Sequence, residues 1–538
     1  MAGSTDDESA ATMKKELKLT LSASQREKIL SQGMMQAMAR GEVSDHQLLA
    51  QYFDTAGGKL RRRGLTLRVR QEGEQLVQTL KESDAGAYRS GAMERGAWHT
   101  AVDKPRPDPR RLASVDGMPR KYRKALAQLR GADNLVEQFF VEVARRTLML
   151  EIDGSVVEMS LDDGKVVAAG ESRHFCGVQL ELASGKKAAL YAAARQLAHH
   201  VPVQISFVSK ADRGFALLGE ATAPVKASPV DFPRDASVEQ GMQRIFSACL
   251  VHAQANVPGF LESDDVEYLH QLRVGMRRFK SALKLFRDLV ALPPVLRAAL
   301  DALAGLLGAA RDADVLLLST LAELAGAEKQ TAPMHALLEH AAKHAAERRA
   351  AARAALRSGR HAQMMIALFE WVECKRWRRD MADQERQRLR TPLGGYAHHA
   401  VIAAHALVAR RAAKARDVVA SSDNPAASLH RLRIAGKQSR YTVDFFSDLE
   451  RARKAEKYIR QLTRTQDALG AMNDVSVAKE TLTTFAKVDA ALGEQVHAVL
   501  DQLDEISRTA TRASDAPWRK LGKSSTSILV KRLVRHRD

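Results

Sequence analysis

Cysteine is nearly absent from this 538-residue chain: Cys176, Cys249 and Cys374 are the whole supply, odd in number, far apart and without a CxxC pair. That pattern argues against a disulfide scaffold and against a cysteine zinc site. Aromatic residues make up only 5%, and no window reads as a membrane span. The longest uncharged run, 391–409, carries His398, His399 and His405 with two glycines, which suits a buried or amphipathic helix better than lipid. The first residues include Asp6, Asp7 and Glu8 where a signal peptide would have a basic segment and an apolar core, so the expectation is a cytoplasmic protein. Proline is sparse, yet Pro224, Pro229 and Pro233 crowd into residues 221–236, the composition of a linker. What the chain has in excess is positive charge, 83 Lys and Arg against 64 Asp and Glu, a formal +19. Such a surplus attracts polyanions without saying whether the partner is nucleic acid, an anionic membrane or polymeric phosphate.

Before that linker the sequence alternates like strands: LKLTL (17–21), LTLRVR (65–70), LVQTLK (76–81), LMLEID (148–153), VVEMSLDDG (156–164) and VQLEL (178–182). Turn signals such as Gly57-Gly58, Gly73, Asp153-Gly154 and Gly185 separate several of them, and the pattern implies an antiparallel barrel or sandwich. Alternation puts Glu16 with Lys18, Arg68 with Arg70, Thr79 with Lys81, Glu158 with Asp162 and Gln179 with Glu181 on shared faces. If those faces point into a closed barrel, cations there can grip phosphate oxygens and carboxylates can hold Mg²⁺ or Mn²⁺. Exposed strand faces would give the same alternation.

After the linker, long Ala- and Leu-rich stretches have three-to-four-residue apolar spacing, so this part is helical. It contains an internal repeat: LHQLRVGMRRFKSALKLF (269–286) matches LHRLRIAGKQSRYTVDFF (429–446) without a gap, and LGAARD (307–312) matches LGAMND (469–474). Two similar helical units therefore face each other or stack. Each copy places cationic or ionisable groups at i, i+3, i+7 and i+10: His270, Arg273, Arg277 and Lys280, then His430, Arg433, Lys437 and Arg440. One helical face collects all four, and the repulsion among them is relieved by an anionic ligand. Solvated faces neutralised from elsewhere are the alternative. The segment 371–390 interleaves Trp371 and Trp377 with arginines; this suits base stacking, but Asp380, Asp383 and Glu385 favour a helix with two buried indoles.

Two family resemblances rest on these residues. Glu267, His270, Arg273, Val274, Arg277 and Arg278, with the second copy His430 to Arg440, resemble the signature of the CHAD domain, the conserved histidine alpha-helical family. It implies a bundle of two pseudo-symmetric helical halves whose cationic central surface binds inorganic polyphosphate. LKL near 17, YFDT (52–55), LRVR (67–70), QTLK (78–81), EMSLDDG (158–164), QLELASG (179–185) and SKADRG (209–214) resemble, in order, the motifs of the CYTH domain in bacterial inorganic triphosphatases that join CYTH to CHAD. That likeness implies an eight-stranded triphosphate tunnel barrel hydrolysing triphosphate with Mg²⁺ or Mn²⁺. Carried over by position, it implies Glu16, Asp162 and Glu181 for metal, Lys18, Arg68, Arg70, Lys81 and Arg146 for phosphate, and Glu16, Lys18 and Lys81 for catalysis. Two positions depart: the opening E-x-E-x-K reads Lys14, Lys15, Glu16, Leu17, Lys18, and the later E-x-E reads Gln179, Leu180, Glu181. Fewer carboxylates weaken binding of a hard divalent cation.

The expected architecture is α+β: a CYTH-like antiparallel β tunnel barrel at 12–220, a linker at 221–236, and an all-α, pseudo-two-fold CHAD-like bundle at 237–530. The expected function is binding, with metal-dependent hydrolysis in question, of inorganic tripolyphosphate and polyphosphate, in the cytoplasm and in association with polyphosphate granules. The alternatives are a non-enzymatic polyphosphate-binding protein with a degenerate barrel and a basic nucleic-acid-binding protein. No helix-turn-helix, RNA-recognition or zinc-finger signature supports the last.

Overall fold

The computed structural model describes residues 10–31, 43–72, 75–82, 93–129, 134–219, 223–326, 331–421, 426–449, 452–513, and the single positions 521, 526 and 530. The Gly73 turn, much of the helical stretch expected at 24–39 and the side chain of Lys14 lie outside what is described. The chain divides into two compact units, residues 1–225 with 356–376, and residues 226–355 with 377–538.

The first unit is built on nine antiparallel strands: β1 Ala10–Leu21, β2 Ser44–Thr55, β3 Leu65–Glu72, β4 Gln75–Glu82, β5 Met93–Val102, β6 Leu135–Ile152, β7 Ser155–Ala168, β8 Glu171–Ser184 and the short β9 Gln204–Ile205. Their order is β5-β4-β3-β2-β6-β7-β8-β1-β9, and β1 also pairs with β5, so the first eight close into a ring with no free edge among them. The strands at 44–55 and 93–102 are additions to the six read from the sequence. Closure puts alternate residues inside. Around the ring the helices are α1 Ala23–Ser31, α2 Pro109–Ala113, α3 Arg120–Ala127, α4 Ala188–His200 and α5 Lys210–Leu217. Helices α2 and α3 cover the outward apolar residues of β3 to β5, where Leu65, Leu67, Leu80 and Trp98 pack with Leu112, Tyr122 and Leu126.

Inside the ring, Phe139, Val141 and Val143 of β6 join Tyr52, Val166 and Phe175 in an apolar layer that also contains Ala211 and Phe215 of α5. The helix is fixed by its first turn: Ser209 Oγ accepts from the Asp212 backbone N–H at 3.1 Å while Asp212 Oδ2 accepts from the Ser209 N–H at 2.9 Å, a capping box. Gly214 has no space for a side chain, since a Cβ there would meet the Phe139 ring at 2.2 Å. The α5 helix is thereby seated on β6, with Lys210 at its start.

The second unit contains α6 Val238–Ala255, α7 Val266–Leu285, α8 Pro294–Val315, most of α9 Ala332–Arg357, then α11 Leu393–Ser421, α12 Ala426–Phe445, α13 Ala452–Val488 and α14 Gly493–Ala513; α10, Gly359–Glu373, belongs to the first unit. The repeated stretches are α7 and α12, and they pack on each other. Their opposite faces are apolar: Phe279 and Phe286 stack edge-on against Phe246 of α6 at 5.5 and 5.7 Å between centroids. Burying one such side chain is worth roughly 1.5–3 kcal/mol. Gly275 lets α7 approach closely, because a Cβ there would meet the Ala253 backbone at 2.6 Å. Trp371 and Trp377 are both buried, and the Trp377 indole donates to Glu239 at 3.1 Å; neither ring is exposed for stacking. Among the described residues no helix is long and apolar enough to cross a membrane.

Candidate functional site

The barrel register decides which polar groups share the interior. Glu16 stands opposite Glu181, Lys18 opposite Gln179, Arg68 opposite Thr79 and Arg145 opposite Asp162. Glu16, Lys18, Arg68, Lys81, Asp162 and Gln179 line one cavity. Asp162 is held on both oxygens: Arg145 Nε reaches Oδ1 at 2.7 Å, Arg145 Nη2 reaches Oδ2 at 2.9 Å, and Lys210 Nζ reaches Oδ2 at 2.7 Å. Burial pushes the Asp162 carboxyl upward, but Lys210 and Arg145 outweigh it and hold its pKa below the ordinary value. Glu16 is similarly engaged, with Lys18 Nζ at 3.1 Å from Oε1 and Gln179 Nε2 donating to Oε2 at 2.7 Å.

The remaining interior cations are crowded. Burial, then the neighbouring Arg68 and Arg145, lowers the Arg70 pKa to about 9. Burial and Arg68 also push the Lys81 ammonium well down, and burial brings Lys210 to about 8. Both effects work against the charged forms, and an incoming phosphate would raise these pKa values again as it binds.

Arg146 is placed elsewhere. It points outward and makes a two-pronged pair with Asp45, directly across on β2, at 2.8 and 2.9 Å. Its neighbour Arg145 is the guanidinium that turns inward, to Asp162. Lys210 and Arg213, which line the cavity from α5, are further cations that the strand motifs did not nominate.

Two of the three nominated carboxylates, Glu16 and Asp162, have both oxygens engaged by Lys, Arg or Gln side chains of the same chain. Glu181 stands across from both Glu16 and Glu158 on one rung, yet among the described residues no three acidic side chains of the cavity bring one oxygen each within 4.8 Å of one another. As arranged, the donors do not fit a Mg²⁺ or Mn²⁺ ion, which needs a nearly octahedral oxygen set.

In the helical unit, α7 and α12 border a groove of about 650 Å³. Arg273, Arg277, Lys280, Arg433 and Lys437 line it as the stripe predicted, and Lys284, Arg287 and Arg297 add to them with no Asp or Glu among the described lining residues. The two copies tether their first arginine alike: Arg273 Nη1 donates to the Leu307 carbonyl at 2.9 Å, and Arg433 Nη1 donates to Asn473 Oδ1 at 3.0 Å. Arg277 Nε donates to the Tyr441 hydroxyl at 2.7 Å, and Lys280 pairs with Asp301 at 2.6 Å. Arg440 lies over the Tyr441 ring at 5.1 Å. Burial and the facing Arg277 and Arg433 lower the Lys437 pKa to about 7. The histidines sit apart from this lining. His270 is half-buried, and burial with Arg311 holds it below its ordinary value; exposed His430 borders a separate hollow with Arg433 and Lys479.

A CYTH domain family matches residues 13–215 and a CHAD domain family matches residues 244–483. The inorganic triphosphatase of Haemophilus influenzae is 26% identical over 193 residues, 34% of this chain and 50% of that protein; the chain thus spans about half the length of this curated relative. The CHAD domain from the plant Ricinus communis is 32% identical with a TM-score of 0.50, covering 56% of this chain and 97% of that one. A Hippeastrum protein whose structure is described as revealing a dominant triphosphatase activity is 18% identical with a TM-score of 0.27, over 38% of this chain and 96% of that one.

Proposed function

We propose, from the premise that this chain belongs to the family that joins a CYTH domain to a CHAD domain, that it binds inorganic phosphate chains at two chemically different sites. The barrel interior grips tripolyphosphate or a chain end through Lys18, Arg68, Arg70, Lys81 and Arg145, and the groove between α7 and α12 holds longer polyphosphate. One observation carries this reading: Arg68 Nε in the barrel and Arg433 Nε in the groove are buried with no hydrogen-bond partner among the described residues. A buried donor left unsatisfied costs about 1–3 kcal/mol, more when charged, and a phosphate oxygen is the acceptor whose charge and geometry suit a guanidinium edge.

The same reading makes hydrolysis slow. Triphosphate tunnel enzymes of the CYTH family are generally metal-dependent, whereas here Gln179 and the cations around Glu16 and Asp162 occupy the oxygens that a divalent ion would need. The test measures tripolyphosphate binding without metal, and phosphate release with Mg²⁺ or Mn²⁺, on the full chain and on Glu16→Ala and Arg68→Ala. Metal-free binding that is lost in Arg68→Ala, with weak turnover, is the expected result. Strong metal-dependent turnover abolished by Glu16→Ala would make the barrel an active triphosphatase.

A further inference from the structure

The outward face of the same barrel holds a cluster that the phosphate chemistry leaves unused. Strand periodicity puts His174 and Cys176, two residues apart on β8, on one face, and Cys176 stands directly across from Asp163 of β7. Their ligand atoms converge: His174 Nε2 is 2.5 Å from Asp163 Oδ1 and Cys176 Sγ is 3.9 Å from the same oxygen. Among the described residues this is the one set of three His, Cys, Asp or Glu ligand atoms lying within 4.8 Å of one another. We propose that Asp163, His174 and Cys176 form a binding site for a borderline transition-metal ion of the Zn²⁺ or Co²⁺ type, outside the tunnel.

The distances suit such an ion. Bonds of about 2.0–2.3 Å at tetrahedral angles put neighbouring ligand atoms roughly 3.4–3.6 Å apart, so Cys176 and Asp163 need to close slightly while His174 must retreat by nearly 1 Å. The imidazole is free to do so, being exposed, whereas the two strands fix the other ligands. Arg26 Nη1 holds the second carboxylate oxygen, Oδ2, at 3.3 Å, leaving Oδ1 to point at its two companions; an outer partner that orients a ligand in this way is typical of metal sites. Its positive charge lowers affinity and does not block the site. One sulfur, one imidazole nitrogen and one carboxylate oxygen form a mixed set that selects Zn²⁺ or Co²⁺ over the hard Mg²⁺. The exposed side leaves a fourth position for water. Burial and Asp163 raise the Cys176 thiol above its ordinary pKa, so the metal must displace the thiol proton, and each ion bound releases one H⁺ to solvent.

This proposal is independent of the phosphate reading, and its test uses Co²⁺ as probe on the full chain. The expected result is a sulfur-to-cobalt charge-transfer band that saturates at a single equivalent, is bleached by Zn²⁺, and is accompanied by proton release. Cys176→Ser abolishes the band, whereas Cys249→Ser and Cys374→Ser retain it. His174→Ala, at an exposed position, weakens Co²⁺ affinity about tenfold or more. Metal-free tripolyphosphate binding stays unchanged in His174→Ala. Absence of the band in the wild-type protein, or a band that survives Cys176→Ser or has full affinity in His174→Ala, overturns the assignment.

Discussion

The barrel interior and the helical groove are both rich in cations, but they handle the repulsion in opposite ways. In the barrel two of the three nominated carboxylates are tied to cations or an amide, Asp162 to Arg145 and Lys210 and Glu16 to Lys18 and Gln179. In the groove eight Lys and Arg side chains face an opening with no acid among the described lining residues. The difference separates recognition by short-range pairing from capture by an accumulated field. Locally neutralised charges act over a few ångströms and are shielded from salt by burial, while a row of cations that outnumbers the acids beside it, Asp301 at Lys280 and Asp312 at Arg273, attracts a polyanion from a distance and is screened readily.

The largest expected effect follows from that contrast. If polyphosphate covers about six groove cations, raising salt from 50 to 200 mM should cost on the order of 10³ in affinity, by analogy with counterion release from DNA. Tripolyphosphate binding in the barrel should fall far less over the same range. Titrations of both ligands on Arg68→Ala, which leaves the groove intact, and on Arg273→Ala with Arg433→Ala, which leaves the barrel intact, check the assignment. Equal salt slopes at the two sites would erase the distinction.

A second test uses stability. Asp162→Ala leaves Arg145 and Lys210 in the barrel without their carboxylate, and breaking a buried pair in this way costs about 3–5 kcal/mol. Asp45→Ala removes only the exposed partner of Arg146 and should leave the melting temperature unchanged. Because the folded pKa of Asp162 is depressed, its contribution is present above the unfolded value near pH 4 and disappears as pH falls through the folded pKa. Denaturant unfolding of wild type and Asp162→Ala at pH 7 and below about pH 4 should show the gap narrowing only in the acid range. Tripolyphosphate should recover part of the loss in the variant by pairing the orphaned cations.

The same two regions differ in how far the sequence disclosed them. The groove was legible because a stripe at helical spacing, repeated 160 residues later, can occupy only one face, and Lys284 merely extends it by one further turn. The barrel was legible in its strands and motif order but not in its parity. Arg145 and Arg146 are adjacent, as are Asp162 and Asp163, so alternation alone cannot say which arginine meets which aspartate inside; only the β6–β7 register settles it. Lys210 reaches Asp162 from a helix 48 residues away, a contact with no local signal. The strand at 93–102 was obscured by Gly96, which breaks the alternation beside Trp98, and His270, His430 and Arg440 lie on the stripe without lining the groove.

The barrel's balance can be shifted toward catalysis. Gln179→Glu places a carboxylate where an amide now donates to Glu16, and with Lys14→Glu it restores two acidic ligands at the positions where the family motif has them. Divalent-metal affinity should rise by about 10–100-fold, taking the effect of supporting groups as a lower bound, with metal-dependent phosphate release from tripolyphosphate rising in parallel. Strong wild-type turnover that falls on restoration would mean that the metal is held by other residues.

The smallest effect lies in the groove and concerns a single proton. Lys437 has a pKa near 7 because it is buried and faces Arg277 across the groove and Arg433 and Arg440 on its own helix, with Asp474 of α13 opposing them in part. A bound polyphosphate reverses that balance and raises the pKa, so binding takes up a proton wherever the free protein has lost it. The sign follows: affinity is highest below pH 7, where Lys437 is already charged, and falls about tenfold for each unit above pH 7 until the bound-state pKa is reached. A histidine-driven gain would occupy a different window, below the ordinary 6.5 of an imidazole, since His270 is held lower still by burial and Arg311. Lys437→Arg should therefore flatten the profile between pH 7 and 9 while keeping tight binding, because the guanidinium stays charged. His270→Gln with His430→Gln should leave that slope untouched. Polyphosphate titrations across this range on both variants decide between them: a slope that persists in Lys437→Arg and vanishes in the histidine pair returns the proton to the imidazoles.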